Sequence, residues 1–196
     1  MNICVFCASS EKIDKSYLQA GEEFGEALAE RNHTLVFGAG KYGVMGAVAR
    51  GHRSKGGKAI GVIPTFFDDM DVMFQDCEII STETMRERKS IMEDKSDVFV
   101  IMPGGIGTFE EFFEVLTLKQ LGRHEKPIII YNVNGFYDSM LSMLDLVIEE
   151  RFMADKCRNL FKVCDTAGEI FAYLDDYAPF MYNKYEFLQN GSADEK

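Results

Sequence analysis

Two short stretches hold the residues best suited to chemistry. In Met85-Arg-Glu-Arg88-Lys89 two adjacent cations stand between Met85 and Met92. With Met85 at zero and 100° per residue, Arg88 falls at about 300°, Lys89 at about 40° and Met92 at about 340°, so both cations share the apolar face of a helix. A cation placed there needs an anion within reach or an edge to snorkel to. In Pro103-Gly-Gly-Ile-Gly-Thr-Phe-Glu-Glu111, three glycines in four positions lead into a helical pattern bearing two carboxylates. Where a glycine turn enters a helix, free backbone N–H groups and the positive end of the helix dipole converge, and phosphate is the first candidate ligand.

The elements needed to position these groups can be read around them. Residues 98–102 form a short, apolar, β-branched and aromatic run that predicts a buried strand, and Pro103 cannot continue its ladder. Gly104, Gly105 and Gly107 then allow a tight turn, with Thr108 opening the next helix. On that helix the core face is expected to be Phe109, Phe112, Phe113 and Leu116. Glu111 shares a stripe with Val115 and Leu118, while Glu110 lines up with Glu114 and Thr117, so Glu111 should be the less solvated acid. The alternative for Thr108 to Glu111 is a capping box with no ligand. Because the helix carrying Arg88 and Lys89 immediately precedes the 98–102 strand, its cations can reach the glycine loop.

A second glycine loop, with Gly38, Gly40 and Gly43 in G-x-G-x-x-G spacing, is a weak dinucleotide fingerprint, since the next strand ends at Pro64 without a ribose-binding acid. It reads equally as a wall beside a nucleotide or as a helix-packing device. Between residues 64 and 76, Phe66, Phe67, Met70 and Met73 alternate with Asp68, Asp69 and Asp71. The acids fit no calcium loop, and the apolar residues could line a pocket.

Strands are expected over 2–7, 34–37, 58–63, 77–81, 98–102, 126–131 and 161–164, and helices near 16–31, from the Gly38 to Gly46 loop to about 54, 82–95, 108 onward, 137–150 and 167–177. Alternation with short connections predicts an α/β fold, a single-domain Rossmann-like parallel sheet with helices on both faces. The domain should span 1–190, with 191–196 a disordered tail.

At 196 residues with 46% hydrophobic and 27% charged, the chain suits one soluble domain. A formal net charge of -11 disfavours nucleic acid and anionic membranes as partners. No apolar run is long enough to span a bilayer and no basic leader precedes the first strand, so the cytoplasm is the expected location. Cys4 and Cys7 spell C-x-x-C but should point to opposite faces of a strand. With Cys77, Cys157, Cys164 and the histidines scattered, neither a metal nor a cofactor is expected.

Taken together, the Arg88-Lys89 and Pro103 to Glu111 motifs resemble the LONELY GUY (LOG) family of cytokinin-activating phosphoribohydrolases, often mislabelled lysine decarboxylases. The family's P-G-G-x-G-T-x-x-E motif is complete. Ile3-Cys-Val-Phe-Cys-Ala-Ser-Ser10 and the Gly38 to Gly46 loop are also similar, with Ala8 standing where many relatives carry glycine. The resemblance implies hydrolysis of the N-glycosidic bond of a nucleoside 5'-monophosphate, with Arg88 and Glu111 catalytic. It places Lys89, Gly104, Gly105, Ile106, Gly107, Thr108, Glu110 and Thr117 on the substrate. It also implies a homodimer. It leaves open whether the base is adenine or an N6-prenylated adenine. A non-catalytic nucleotide or cofactor carrier is the main alternative. A pyridoxal-phosphate lysine decarboxylase would need a Schiff-base lysine in a large cofactor site, and no motif here supplies one.

Overall fold

The computed structural model describes residues 1–67 and 71–179. The expected tail over 191–196, and Asp68, Asp69 and Met70, lie outside the described residues. Seven parallel strands form one sheet in the order β4-β3-β2-β1-β5-β6-β7. They are β1 (Asn2–Phe6), β2 (Thr34–Phe37), β3 (Ala59–Pro64), β4 (Glu78–Thr82), β5 (Val98–Ile101), β6 (Ile128–Tyr131) and β7 (Lys162–Cys164). The helices are α1 (Lys15–Glu30), α2 (Gly43–Ser54), α3 (Met85–Lys95), α4 (Ile106–Gln120), α5 (Asp138–Glu149) and α6 (Ala167–Asp175).

The central strands are continuous apolar runs because both faces are covered. Every residue of β5 and β6 is buried. One core joins α1, α2 and α6 to the first face, and the other joins α3, α4 and α5 to the second. Cys7 lies in the first core and Cys4 in the second, so the two thiols do face apart. β1 pairs with β2 on one side and β5 on the other. Chain direction across the sheet reverses there, and the crevice beyond the carboxyl ends of β1 and β5 is the switch point at which such folds bind ligands.

Three expectations need correction. α4 starts at Ile106 rather than Thr108, its N-cap is Gly105, and no side chain caps it. The capping box weighed as the alternative at Thr108 and Glu111 is therefore absent. A related arrangement occurs on α3, where Thr84 Oγ1 accepts from the Glu87 N–H and Glu87 Oε2 accepts from the N–H of Glu83, one residue before the cap. α3 begins later than the expected residue 82 because Thr82 stays in β4, paired with Pro64. Lastly, the buried face of α4 is Thr108, Glu111, Phe112, Val115, Leu116 and Lys119, while Phe113 is 41% exposed. That is a rotation of roughly 80° from the expected face. Apolar residues occur nearly all round this helix, so periodicity alone could not choose the side that meets the sheet.

Candidate active site

α3 and α4 each place one charged side chain under the switch-point crevice. Arg88 is 7% and Glu111 8% exposed, and Arg88 Nη1 donates to Glu111 Oε1 at 3.0 Å. Arg88 Nε also donates to the Val62 carbonyl oxygen at 3.1 Å. Burial pushes the Glu111 carboxyl up to about 7, against the pull of the Arg88 guanidinium in the other direction. A carboxyl poised near neutrality in a cleft has the acidity that proton transfer or charge stabilisation requires.

The glycine loop sits one turn of α4 above Glu111. It is tied down from both sides: Ala8 N donates to Pro103 O at 3.1 Å, and the buried Tyr137 hydroxyl donates to Met102 O at 2.8 Å. Gly104 has no room for a side chain, since a Cβ there would lie 2.1 Å from Thr108 Oγ1. The first helical bond of α4 runs from Phe109 N to Gly105 O at 3.1 Å, so the N–H groups of Ile106, Gly107 and Thr108 have no partner within the helix. Gly105, Ile106 and Gly107 are exposed, and a Cβ on Gly105 or Gly107 would meet open space. Among the described residues nothing bonds these amides, and a helix start of this kind is one that anions bind.

Lys89 does not point to a free position. Its ammonium bridges Glu110 and Glu114, with Glu114 Oε2 at 2.6 Å. Burial by itself lowers its pKa, but the two carboxylates more than offset this and raise it above the ordinary lysine value. Glu110 is exposed, as its helical position predicts. Thr117 is exposed too, nine residues beyond Thr108. At 1.5 Å per residue it stands about 14 Å along the axis, too far to share a small ligand with the loop inside one chain.

Beside the Arg88–Glu111 pair opens a cavity of about 300 Å³, walled by Met45, Ile63, Phe67, Val72 and Met85, with Arg88 on its lining. Phe67 of the 64–76 segment thus reaches the pocket, whereas Phe66 is exposed. In the second glycine loop Gly38 and Gly40 line the cavity, and Gly43 opens α2 at a φ of 61°, where its Cβ would press on the Ser9 backbone at 2.6 Å. Helical spacing could not find the Val62 carbonyl or Tyr137 as anchors. One is a backbone group in a strand and the other reads as a core aromatic.

A parallel α/β sheet with a glycine-led helix start, a buried Arg–Glu pair and an apolar cavity beyond the ends of β2 and β3 defines a Rossmann-like protein with the features of a small-ligand site. The family model described as "Possible lysine decarboxylase" matches residues 45–174. Cytokinin riboside 5'-monophosphate phosphoribohydrolase LOG2 of Arabidopsis thaliana is 37% identical over 178 residues, covering 90% of this chain and 84% of that protein. Cytokinin riboside 5'-monophosphate phosphoribohydrolase LOG of Oryza sativa subsp. japonica is 40% identical over 178 residues, covering 90% and 74%. Among solved structures, the molybdenum cofactor binding protein of Rippkaea orientalis has a TM-score of 0.68 at 19% identity, covering 89% of this chain and 94% of that one. The Moco carrier protein of Chlamydomonas reinhardtii has 0.67 at 22%, again covering 89% and 94%. At such identities these two share the fold alone. The chain belongs to the LONELY GUY phosphoribohydrolase family.

Proposed function

We propose that this protein hydrolyses the N-glycosidic bond of a purine nucleoside 5'-monophosphate, releasing the free base and ribose 5-phosphate. The observation that carries the reading is the buried Arg88–Glu111 pair, one helical turn from the open amides of α4 and beside an apolar cavity. The 5'-phosphate sits on the N–H groups of Ile106, Gly107 and Thr108, with Gly104 and Gly105 giving close approach, while Lys89, bridging Glu110 and Glu114, offsets the charge of two carboxylates that would otherwise repel it. This fixes the sugar with C1' over Glu111. As the bond to the base breaks, positive charge grows on the ribose. Glu111 stabilises that charge or takes a proton from the attacking water, whose oxygen ends on C1'. Arg88 holds a ribose oxygen or the departing purine, which leaves with the bonding pair and gains a proton.

The base enters the cavity of about 300 Å³, whose apolar wall has room for an N6-alkyl group. The relatives named for cytokinin riboside 5'-monophosphate support an N6-prenylated adenine, with AMP as the unmodified substrate. The working form is a homodimer. Ile106 is 88% exposed, and Phe113 and Leu121 continue its stripe along α4. A second copy packed antiparallel on that stripe would bring its own Thr117 back toward the loop. The protein works in the cytoplasm, where its five free thiols stay reduced.

Turnover of AMP and its N6-isopentenyl derivative, followed by chromatography of the free base, tests the reaction. No base release from either nucleotide would sink it and leave a carrier on the same scaffold. Comparable rates for AMP and adenosine would refute the phosphate site. Light scattering gives the oligomer, and Phe113→Glu should convert a dimer to a monomer.

A further inference from the structure

The loop Gly38-Ala-Gly40-Lys-Tyr-Gly43 has a dinucleotide spacing, yet the proposed reaction gives its first glycine no task. That glycine lies against Arg88. A Cβ built on Gly38 would fall 1.9 Å from Arg88 Nη2 and 3.1 Å from Cζ. Gly38 does not adopt positive φ, so what the missing side chain provides is space and not an unusual backbone. The guanidinium is not free to swing aside, because Nε is bonded to the Val62 carbonyl and Nη1 to Glu111. Nη2, the nitrogen against Gly38, makes no hydrogen bond among the described residues. It belongs to a side chain that lines the cavity.

We propose that Gly38 is a positioning residue for Arg88: together with the Val62 carbonyl and Glu111 it forms a three-sided socket that fixes the guanidinium plane at the wall of the base cavity. The inference rests on the reading of Arg88 as the group that meets the nucleotide. The ends of β2 and β3 and the first turns of α4 each supply one side, and α3 supplies the arginine. A rigid fork bonded on two edges transmits any displacement to its third. A methyl group at position 38 therefore moves Nη2 and strains both existing bonds.

The test is Gly38→Ala, alone and combined with Arg88→Ala. The single variant should keep its fold and a near wild-type KM for AMP but lose about 10²-fold in kcat, the scale of an ångström misplacement. In the Arg88→Ala background it should cause no further loss, since the two changes act through one group. An independent, additive loss would overturn the socket. If Gly38→Ala lowers the melting temperature sharply, Arg88→Ala should restore it by removing the clash, and failure to do so counts against the proposal. A readout free of activity is the Arg88 Nε–H signal in ¹H–¹⁵N spectra, assigned by its absence in Arg88→Lys. It should shift in Gly38→Ala, and an unchanged signal refutes the socket even if the wild type releases base. If the wild type releases none, the reaction fails and the spectrum alone decides the socket.

Discussion

Glu111 titrates near neutrality because burial and Arg88 act on it in opposite directions, and burial prevails. Its ionised form therefore fills as pH rises through about 7. If the carboxylate is the working form, kcat/KM should rise through that midpoint and flatten above it. Glu111→Gln should lose about 10²- to 10⁴-fold in kcat, the usual range for a general acid–base group, and lose the pH limb with it. Near-normal turnover in that variant would remove Glu111 from the chemistry. The adjacent cations should separate cleanly. Arg88 is bonded to a strand carbonyl and a carboxylate in a set geometry, whereas Lys89 is a point charge shared between Glu110 and Glu114. Arg88→Lys should thus lose most of kcat, while Lys89→Arg should act chiefly on KM. Steady-state kinetics with circular dichroism as a fold control would decide it; if both substitutions only raise KM, Arg88 is a binding residue.

At the scale of elements, α3 and α4 share the work unequally. α4 carries the open amides and Glu111, and its start at Gly105 without a side-chain cap leaves those amides free. α3 carries Arg88 and is capped by side chains, Thr84 Oγ1 accepting from the Glu87 N–H and Glu87 Oε2 from the Glu83 N–H. A helix that delivers a side chain to a fixed point benefits from a closed first turn, and one that binds an anion benefits from an open one. Thr84→Ala should cost about 1 kcal/mol of stability, as cap losses generally do, with kcat unchanged in folded protein. Chemical denaturation beside an activity assay would check both halves. A fall in kcat at full folding would mean that the cap also sets the position of Arg88.

Across the whole molecule, the two helical layers meet around the lower edge of the sheet. Lys119, at the end of α4 on one face, is 1% exposed, and its ammonium donates to the Tyr177 hydroxyl at 3.2 Å just past α6, which packs on the other face. The Tyr177 hydroxyl in turn donates to Glu125 O at 2.5 Å. Burial pulls the Lys119 ammonium down to about 8 from its ordinary 10.5, with Glu125 opposing. Its folded value lies below its unfolded one, so the unfolded chain binds more protons between about 8 and 10.5. The charge thus costs stability in full below about 8, and the cost is relieved as pH rises toward 10.5. Lys119→Met should raise the melting temperature at pH 7, with a smaller gain at pH 9.5. A gain independent of pH would show that packing, not charge, sets the effect.

What the amino-acid order determined by itself was local and periodic. Short apolar runs placed all seven strands within a residue or two, most directly in the central β5 and β6, where burial on both faces leaves no polar alternation to misread. The Arg88-Lys89 and Pro103 to Glu111 motifs marked the crevice, and helical spacing separated buried Glu111 from exposed Glu110. Tertiary structure decided what depends on distant partners. Thr108 fits a cap from its neighbours alone, but α4 starts at Ile106 with Gly105 as its N-cap, which puts Thr108 inside the first turn. Which side of α4 faces the sheet was undetermined while apolar residues surrounded it, and the pairing of Glu111 with Arg88 belongs to the side that was chosen. That Lys89 meets two carboxylates, that Val62 offers a carbonyl and that Gly38 leaves space for a guanidinium are contacts between chain positions far apart. No local pattern encodes such contacts, because they exist only once β2, β3, α3 and α4 have been brought to one end of the sheet.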